Sequence, residues 1–305
     1  MPDNTDDPSS YGHKLGQLIG DWFEEYFVLP LLMTVSEELE LYLDSRFRQR
    51  AARSDKINWK DEEGNSVDYD FVLEIAGSDH VLGVPVAFFE SFWRRGSRHS
   101  KDKARDDSNK LRPMRETYPT ARFLGILAAG DFTKPARLYI EHSDIDLFYV
   151  PKHKIVQAFQ DNGLCMDYPD KATEQAKAVI TTAFQSQFTE AKKRDVAFTL
   201  TSLVGRPTVQ LYAQRVLGRL SAQPQEIRLI LRHEAPALAF RSILEVTEFL
   251  AKPSFEMREP RDSYLYEITY SDFFEFSRHA ETLEQLSALH AQVHKLNEHL
   301  NRLIK

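Results

Sequence analysis

The stretch VDYDFVLEIAGSDHVLGVPVAFFESFW, Val67 to Trp93, decides the reading of the fold. Over Val67–Ile75 the residues Val67, Tyr69, Phe71, Leu73 and Ile75 alternate with Asp68, Asp70, Val72 and Glu74, the period of a β-strand. On this reading Asp68, Asp70 and Glu74 share one side. A turn with Gly77, Ser78 and Asp79 leads to a second strand, Val84–Trp93, so the two strands are expected to pair as a meander. Glu90 interrupts an otherwise apolar run, Val86, Ala87, Phe88 and Phe89. If the strands pair, Asp70 and Glu90 face each other, and two carboxylates on one surface suit a hard divalent cation, Mg2+ or Mn2+.

Outward from this pair the period changes. Downstream, a helix is expected over Ser100–Thr117, stopped before Pro119, then a strand over Ala121–Ala128 closed by Gly130. A helix over Lys134–His142, a strand over Asp146–Val150 and a helix from Pro151 follow. Upstream, Leu15, Leu18, Ile19, Trp22, Phe23, Tyr26 and Phe27 form an amphipathic helix that Pro30 breaks or kinks. A second helix is expected over Ser36–Arg53 with Ser36 as its N-cap, and a short strand around Ile57 and Trp59.

The fold class is therefore α/β (α+β), a mixed central sheet flanked by helices, followed by a mainly helical C-terminal region with a few strands. Helices are expected at 171–191, 206–221 and 236–251, and strands at Glu226–Leu231 and within Tyr264–Phe276. Residues 1–12 read as a disordered tail, 13–162 as a catalytic core and 163–305 as a recognition and dimerisation region. Its last helix, 280–304, carries Leu286, Leu289, Val293, Leu296, Leu300 and Leu303 at alternating spacings of 3 and 4. This seam suits a coiled coil between subunits or a helix packed on its own domain.

Composition narrows the function. The chain has 305 residues, 42% hydrophobic, with a formal net charge of −7. No apolar run reaches the roughly 18 residues of a membrane helix. The acidic, polar start over Met1–Ser10 does not resemble a secretory signal. One cysteine, Cys165, excludes a disulfide framework, so a cytoplasmic setting is expected. No phosphate loop or dinucleotide fingerprint is present, so no nucleotide cofactor is expected. The charge is uneven. Arg94–Arg122 holds ten Lys/Arg and four acids, a net +6, which leaves −13 for the rest. A basic island in an acidic chain fits a phosphate-binding surface; a solvated charge-rich helix is the alternative. Arg94, Arg95, Arg98, His99, Lys101, Arg105 and Lys110 are its candidate DNA contacts. Carboxylates for a divalent ion beside cations for phosphates meet the physical requirement of metal-assisted phosphodiester hydrolysis.

An acid on one strand, an acid on the next, then a helix and a strand resemble the PD-(D/E)XK nuclease core, best known from restriction endonucleases. The resemblance covers roughly residues 14–130. It implies Asp70 (or, second, Asp68) as the first metal ligand and Glu90 as the second. In that family the first helix often carries Gly-x-x-x-Glu, matched here by Gly20 and Glu24, which implies a metal role for Glu24. The family's lysine, two positions after the strand acid, is replaced by Phe92. Lys103 or Lys101 on the following helix is expected to substitute, ahead of Arg94, because a guanidinium cannot act as a base. The resemblance implies a Mg-dependent endonuclease acting on double-stranded DNA as a homodimer, in restriction-modification or antiviral defence. The alternative is a catalytically inactive DNA-binding or defence-complex subunit on a degenerate nuclease fold.

Overall fold

The computed structural model describes residues 10–231, 237–252 and 263–303. Its centre is a five-stranded sheet made of Tyr42–Ser45 (β1), Phe71–Ile75 (β4), Val84–Arg94 (β5), Phe123–Gly130 (β6) and Asp146–Pro151 (β7), in the order β1-β4-β5-β6-β7. β5 pairs antiparallel to β4, as the sequence reading of these two strands expects, and β1, which was not expected to be a strand, pairs antiparallel to the other edge of β4. β6 and β7 are parallel and are joined by helix α4, Lys134–His142. Thr133 caps that helix by accepting from Ala136 N–H. β4 and β6 are buried along their whole length, which is why they are almost wholly apolar. The mixed α/β class expected from sequence is the class observed.

Several local expectations fail. The helix expected over 236–251 is only Ile243–Leu250, because Leu238–Phe240 is a strand paired with Ile227–Leu229. The stretch Val67–Ile75 is not one strand. It bends at Asp70, so Ser66–Tyr69 (β3) pairs with Ile57–Lys60 (β2) in a separate two-stranded sheet. Asp68 therefore belongs to a different sheet from Glu74. Nor is Ser36–Arg53 a helix. The helix Leu29–Glu38 (α2) contains Ser36 and ends before Glu40, whose φ of 47° breaks the helical path. The chain then enters β1, and the loop after it folds back over Glu74. Arg50 Nη2 meets Glu74 Oε2 at 2.8 Å, its Nη1 meets Asp44 Oδ2 at 2.7 Å, and Arg53 Nε also reaches Asp44. Tertiary ion pairing thus overrides helical propensity, because Asp44 and Glu74 are buried charges that need partners.

Finally, Pro30 does not break the first helix. Tyr11–Phe23 (α1) runs into a π-helical turn, Glu24–Val28, where Leu29 N–H reaches back to Glu24 O, and α2 continues from there. Proline supplies no N–H to the preceding turn, and the shifted register just before it absorbs the mismatch. Residues 1–9 of the expected tail lie outside the described residues, while Tyr11 and Gly12 already belong to α1.

The chain divides into two compact units. The first comprises Met1–Thr34, Glu90–Ser108 and Gly125–Ala213. Here α1 packs with Glu174–Gln187 (α6), and Lys152–Asp161 (α5) packs with Glu190–Val204 (α7). Trp22 is wedged edge-on to Phe159, ring centroids 4.6 Å apart, and donates its Nε1–H to Lys193 O. The helix α7, unforeseen from sequence, has a weakly amphipathic face with Val196, Ala197 and Leu200 buried.

The second unit comprises Val35–Phe89, Asn109–Leu124 and Gln214–Lys305. It holds an antiparallel sheet of Pro224–Leu231 (β8), Leu238–Phe240 (β9), Tyr264–Tyr270 (β10) and Glu275–Ala280 (β11), ordered β11-β10-β8-β9. Ile227, Leu229, Tyr266 and Ile268 form one core with Leu286, Leu289 and Val293 of the helix Leu283–Leu303 (α10). The C-terminal seam is therefore covered within its own unit, the second of its two sequence readings. Ile243–Leu250 (α9) packs on the same helix. Among the described residues no helix is long and apolar enough to cross a membrane.

α10 also buries His290. The Thr247 hydroxyl donates to Ile243 O, so it accepts from His290 Nε2–H at 2.8 Å, and Nδ1 accepts from the Tyr266 hydroxyl at 2.9 Å. Burial, helped by nearby His294, pushes the pKa of His290 down from 6.5 to about 4. The unfolded chain takes up this proton near pH 6.5 and the folded chain only near 4. The contribution to stability is therefore complete above pH 6.5 and is lost as the pH falls toward 4, by up to about 3 kcal/mol. Urea unfolding between pH 7 and pH 4 should show a steeper loss in the native protein than in His290→Gln. Equal slopes would show that His290 titrates normally.

Candidate active site

The candidate residues come from three elements of the fold. Glu24 opens the π-helical turn after α1 and is 8% exposed. Such turns are rare and concentrate at functional positions. Gly20, its partner in the Gly-x-x-x-Glu pattern, is not sterically demanded, since an added Cβ would meet its nearest heavy atom, Trp93 Cβ, only at 3.9 Å. Glu90 sits in the buried run of β5 and is 2% exposed. The β4–β5 register pairs Phe71 with Phe89. Asp70 immediately precedes the first of these residues and Glu90 immediately follows the second.

Helix α3, Ser100–Thr117, follows β5. Lys103 and Lys101 are two residues apart, about 200° around a helix, so they point to opposite sides. Lys103 turns inward. Its Nζ stands 5.3 Å from the centroid of the Phe92 ring and 2.7 Å from Asp107 Oδ1, one helical turn on. Asp107 is only 1% exposed. Phe92 is itself buried and packs against Phe132, centroids 5.3 Å apart. The strand position where the resemblance puts a lysine thus carries a phenyl ring with a lysine ammonium over its face, an arrangement favoured by the ring quadrupole. Lys101 faces solvent. Of the two lysines left open by the sequence, the structure brings Lys103 to Phe92 and leaves Lys101 outside.

The basic island divides. Arg94, Arg98, Lys101 and Arg105 are exposed, with Arg105 near Asp102 and Asp106. His99 is exposed, with φ 66° and Nδ1 at 3.2 Å from Asp102. Arg95 is engaged in the fold. It stacks on Tyr168 with 3.9 Å to the ring centroid, hydrogen-bonds Tyr168 O and pairs with Asp170 at 3.0 Å. Lys110 is half-buried, with Nζ 5.7 Å from the Tyr69 ring centroid. Arg122, counted in the island by sequence, is 1% exposed and forms no part of a surface. The backbone beyond the strand acid is held by glycine: a Cβ on Gly130, at φ 111°, would lie 1.8 Å from Arg94 O, which accepts from Asp131 N–H.

Sequence reasoning missed the π turn, whose signal is Pro30, which forbids a regular helical bond to the preceding turn. The pairing of Lys103 with Asp107 is the ion pair that their i, i+4 spacing on a helix favours. Among the described residues no group of three or more His, Cys, Asp or Glu side chains converges as a metal cage. Magnesium commonly uses one or two carboxylates, with waters and substrate phosphate completing its shell, and Glu24 and Glu90, both in the first unit, are carboxylates of that type, while Asp70 belongs to the second unit. No family model, curated protein or solved structure matches the chain.

The inward placement of Lys103 has a stability consequence. Lys103→Met, which leaves buried Asp107 without this ammonium, should cost about 1–3 kcal/mol in urea unfolding. Lys101→Met should stay within about 0.5 kcal/mol of the native protein. Equal costs would contradict the assignment.

Proposed function

We propose that the chain is a Mg-dependent endonuclease that hydrolyses DNA phosphodiester bonds, of the restriction-endonuclease type. The observation that carries this reading is the Lys103 ammonium over Phe92, the strand position two residues beyond Glu90. Glu90 would hold Mg2+ or Mn2+, with Glu24 in support. When bound, such an ion activates a water and neutralises charge on the phosphate. Lys103, steadied by Asp107, would donate a hydrogen bond to the attacking water or to a phosphate oxygen, supplying fixed positive charge where negative charge develops. Arg94, Arg98, Lys101 and Arg105 would hold the flanking phosphates, and His99 would join them at the edge. Arg95 and Lys110 would act chiefly by fixing the backbone around this surface. Cutting both strands of a duplex calls for two such sites, hence a homodimer, built on a surface other than the covered seam of α10. Restriction or antiviral defence in the cytoplasm is the setting this chemistry suits.

Supercoiled plasmid tests the reading. Nicking should require Mg2+ and stop with EDTA, and Glu90→Gln should abolish it. Lys103→Ala should slow it at least about 100-fold, whereas Lys101→Ala should mainly weaken substrate binding. Nicking that survives Glu90→Gln would refute the site. Steeply salt-dependent DNA binding without any nicking would favour the alternative of an inactive DNA-binding subunit.

A further inference from the structure

The hairpin between β10 and β11 carries an unexplained feature. Tyr270 O accepts from Phe273 N–H, and Tyr270 N–H donates to Phe274 O, each at 2.9 Å, which closes a tight loop over Ser271, Asp272 and Phe273. In such loops the last residue takes a left-handed conformation, and glycine is the usual occupant. Here it is Phe273, at φ 62° and 86% exposed. A bulky residue there strains the backbone, and a ring so exposed returns little packing energy. The flanking residues are ringed by guanidiniums. Arg115, Arg122 and Arg219 stand 5.4, 5.7 and 5.0 Å from the Phe274 ring centroid. Asp272 lies 3.0 Å from Arg219 and 3.5 Å from Arg122. Arg122 is fully buried, stacked 3.6 Å from the Tyr270 centroid and bonded to Ala222 O at 2.6 Å, so it braces the hairpin from beneath. Arg219 is partly exposed.

We propose that this hairpin tip is a nucleic-acid contact in which Phe273 stacks on an unstacked nucleobase while Arg219 and Arg115 hold the adjoining phosphates. An aromatic face offered beside cations is the chemistry that single-stranded nucleic acid requires: the ring takes any base, and the guanidiniums take the backbone. The strain is then kept because the ring is needed outside the fold. The inference rests on the nuclease reading for its substrate class, but it concerns binding and not the cutting step.

The test uses the full chain in EDTA, so that no cutting occurs. Fluorescence anisotropy compares a labelled single-stranded oligodeoxynucleotide with an abasic strand of equal length. The native protein should bind the base-bearing strand roughly ten-fold more tightly. Phe273→Gly should reduce that affinity to the abasic level, leave the abasic affinity unchanged, and melt no lower than the native protein, because glycine relieves the left-handed backbone. Arg219→Gln should weaken both strands alike. Equal binding of the two strands by the native protein, or a full base preference in Phe273→Gly, would overturn the proposal. A clear fall in melting temperature on Phe273→Gly would give the ring a packing role and overturn it too. So would binding to phosphatidylserine vesicles that needs Phe273, without any base preference. Base preference retained by a protein that never nicks plasmid would sink the cutting mechanism and leave this contact standing.

Discussion

An ionised carboxylate inside a sheet covered on both faces must be answered by a partner, because desolvation costs several kcal/mol per ion. That constraint shapes the centre of this molecule. Glu74, in the wholly buried β4, is met by Arg50, which also reaches Asp44 and the carbonyls of Ser78 and Val81. The whole loop after β1 is arranged to bring that guanidinium in. Asp107, buried on α3, is met by Lys103. Glu90, in the apolar run of β5, and Glu24, in the turn after α1, are the other buried carboxylates among the described residues.

Glu74 is spoken for by a bidentate guanidinium and belongs to the fold. Asp68 lies in a two-stranded sheet of its own, with its carboxylate only 3.8 Å from Lys56 on the surface. Asp70 immediately precedes β4, whose first residue, Phe71, pairs with Phe89. The helix after β5 then contributes the one feature of the candidate site that a residue-by-residue reading cannot display: a lysine whose ammonium covers a phenylalanine. Phosphate chemistry needs charge at a point in space and not at a point in sequence.

Much of the fold was legible in the sequence. Ser100–Thr117, Lys134–His142 and 206–221 are helices at the expected bounds, the first of them a charge-rich segment that stops before Pro119. β5 was legible as a long apolar run, and β8 as a short stretch in which apolar and polar residues alternate. The failures share a cause. β1 and the loop around Arg50 are tied by the ion pairs of Arg50 with Asp44 and Glu74, which leave no local pattern, and the bend at Asp70 has no signal in the alternating residues on either side of it. The π turn was hidden because Pro30 reads as a breaker unless a register shift precedes it. Charge counting also overstated the basic surface, since it cannot tell Arg122, buried on Tyr270, from Arg98, exposed to water. Of the candidate site, the residue types and their order were legible; the choice between Lys103 and Lys101 needed the angle between them around the helix axis.

The central claim is that Lys103 stands in for a lysine missing from position 92. It is tested most directly by moving the lysine back. Single-turnover nicking of plasmid in Mg2+ would be measured for Lys103→Met and for the double variant Phe92→Lys, Lys103→Met, each checked for a native-like melting curve. The account predicts that the single variant is inactive and that the double variant recovers a substantial part of the native rate. A folded double variant as inactive as the single one, or a single variant that cuts like the native protein, would contradict it.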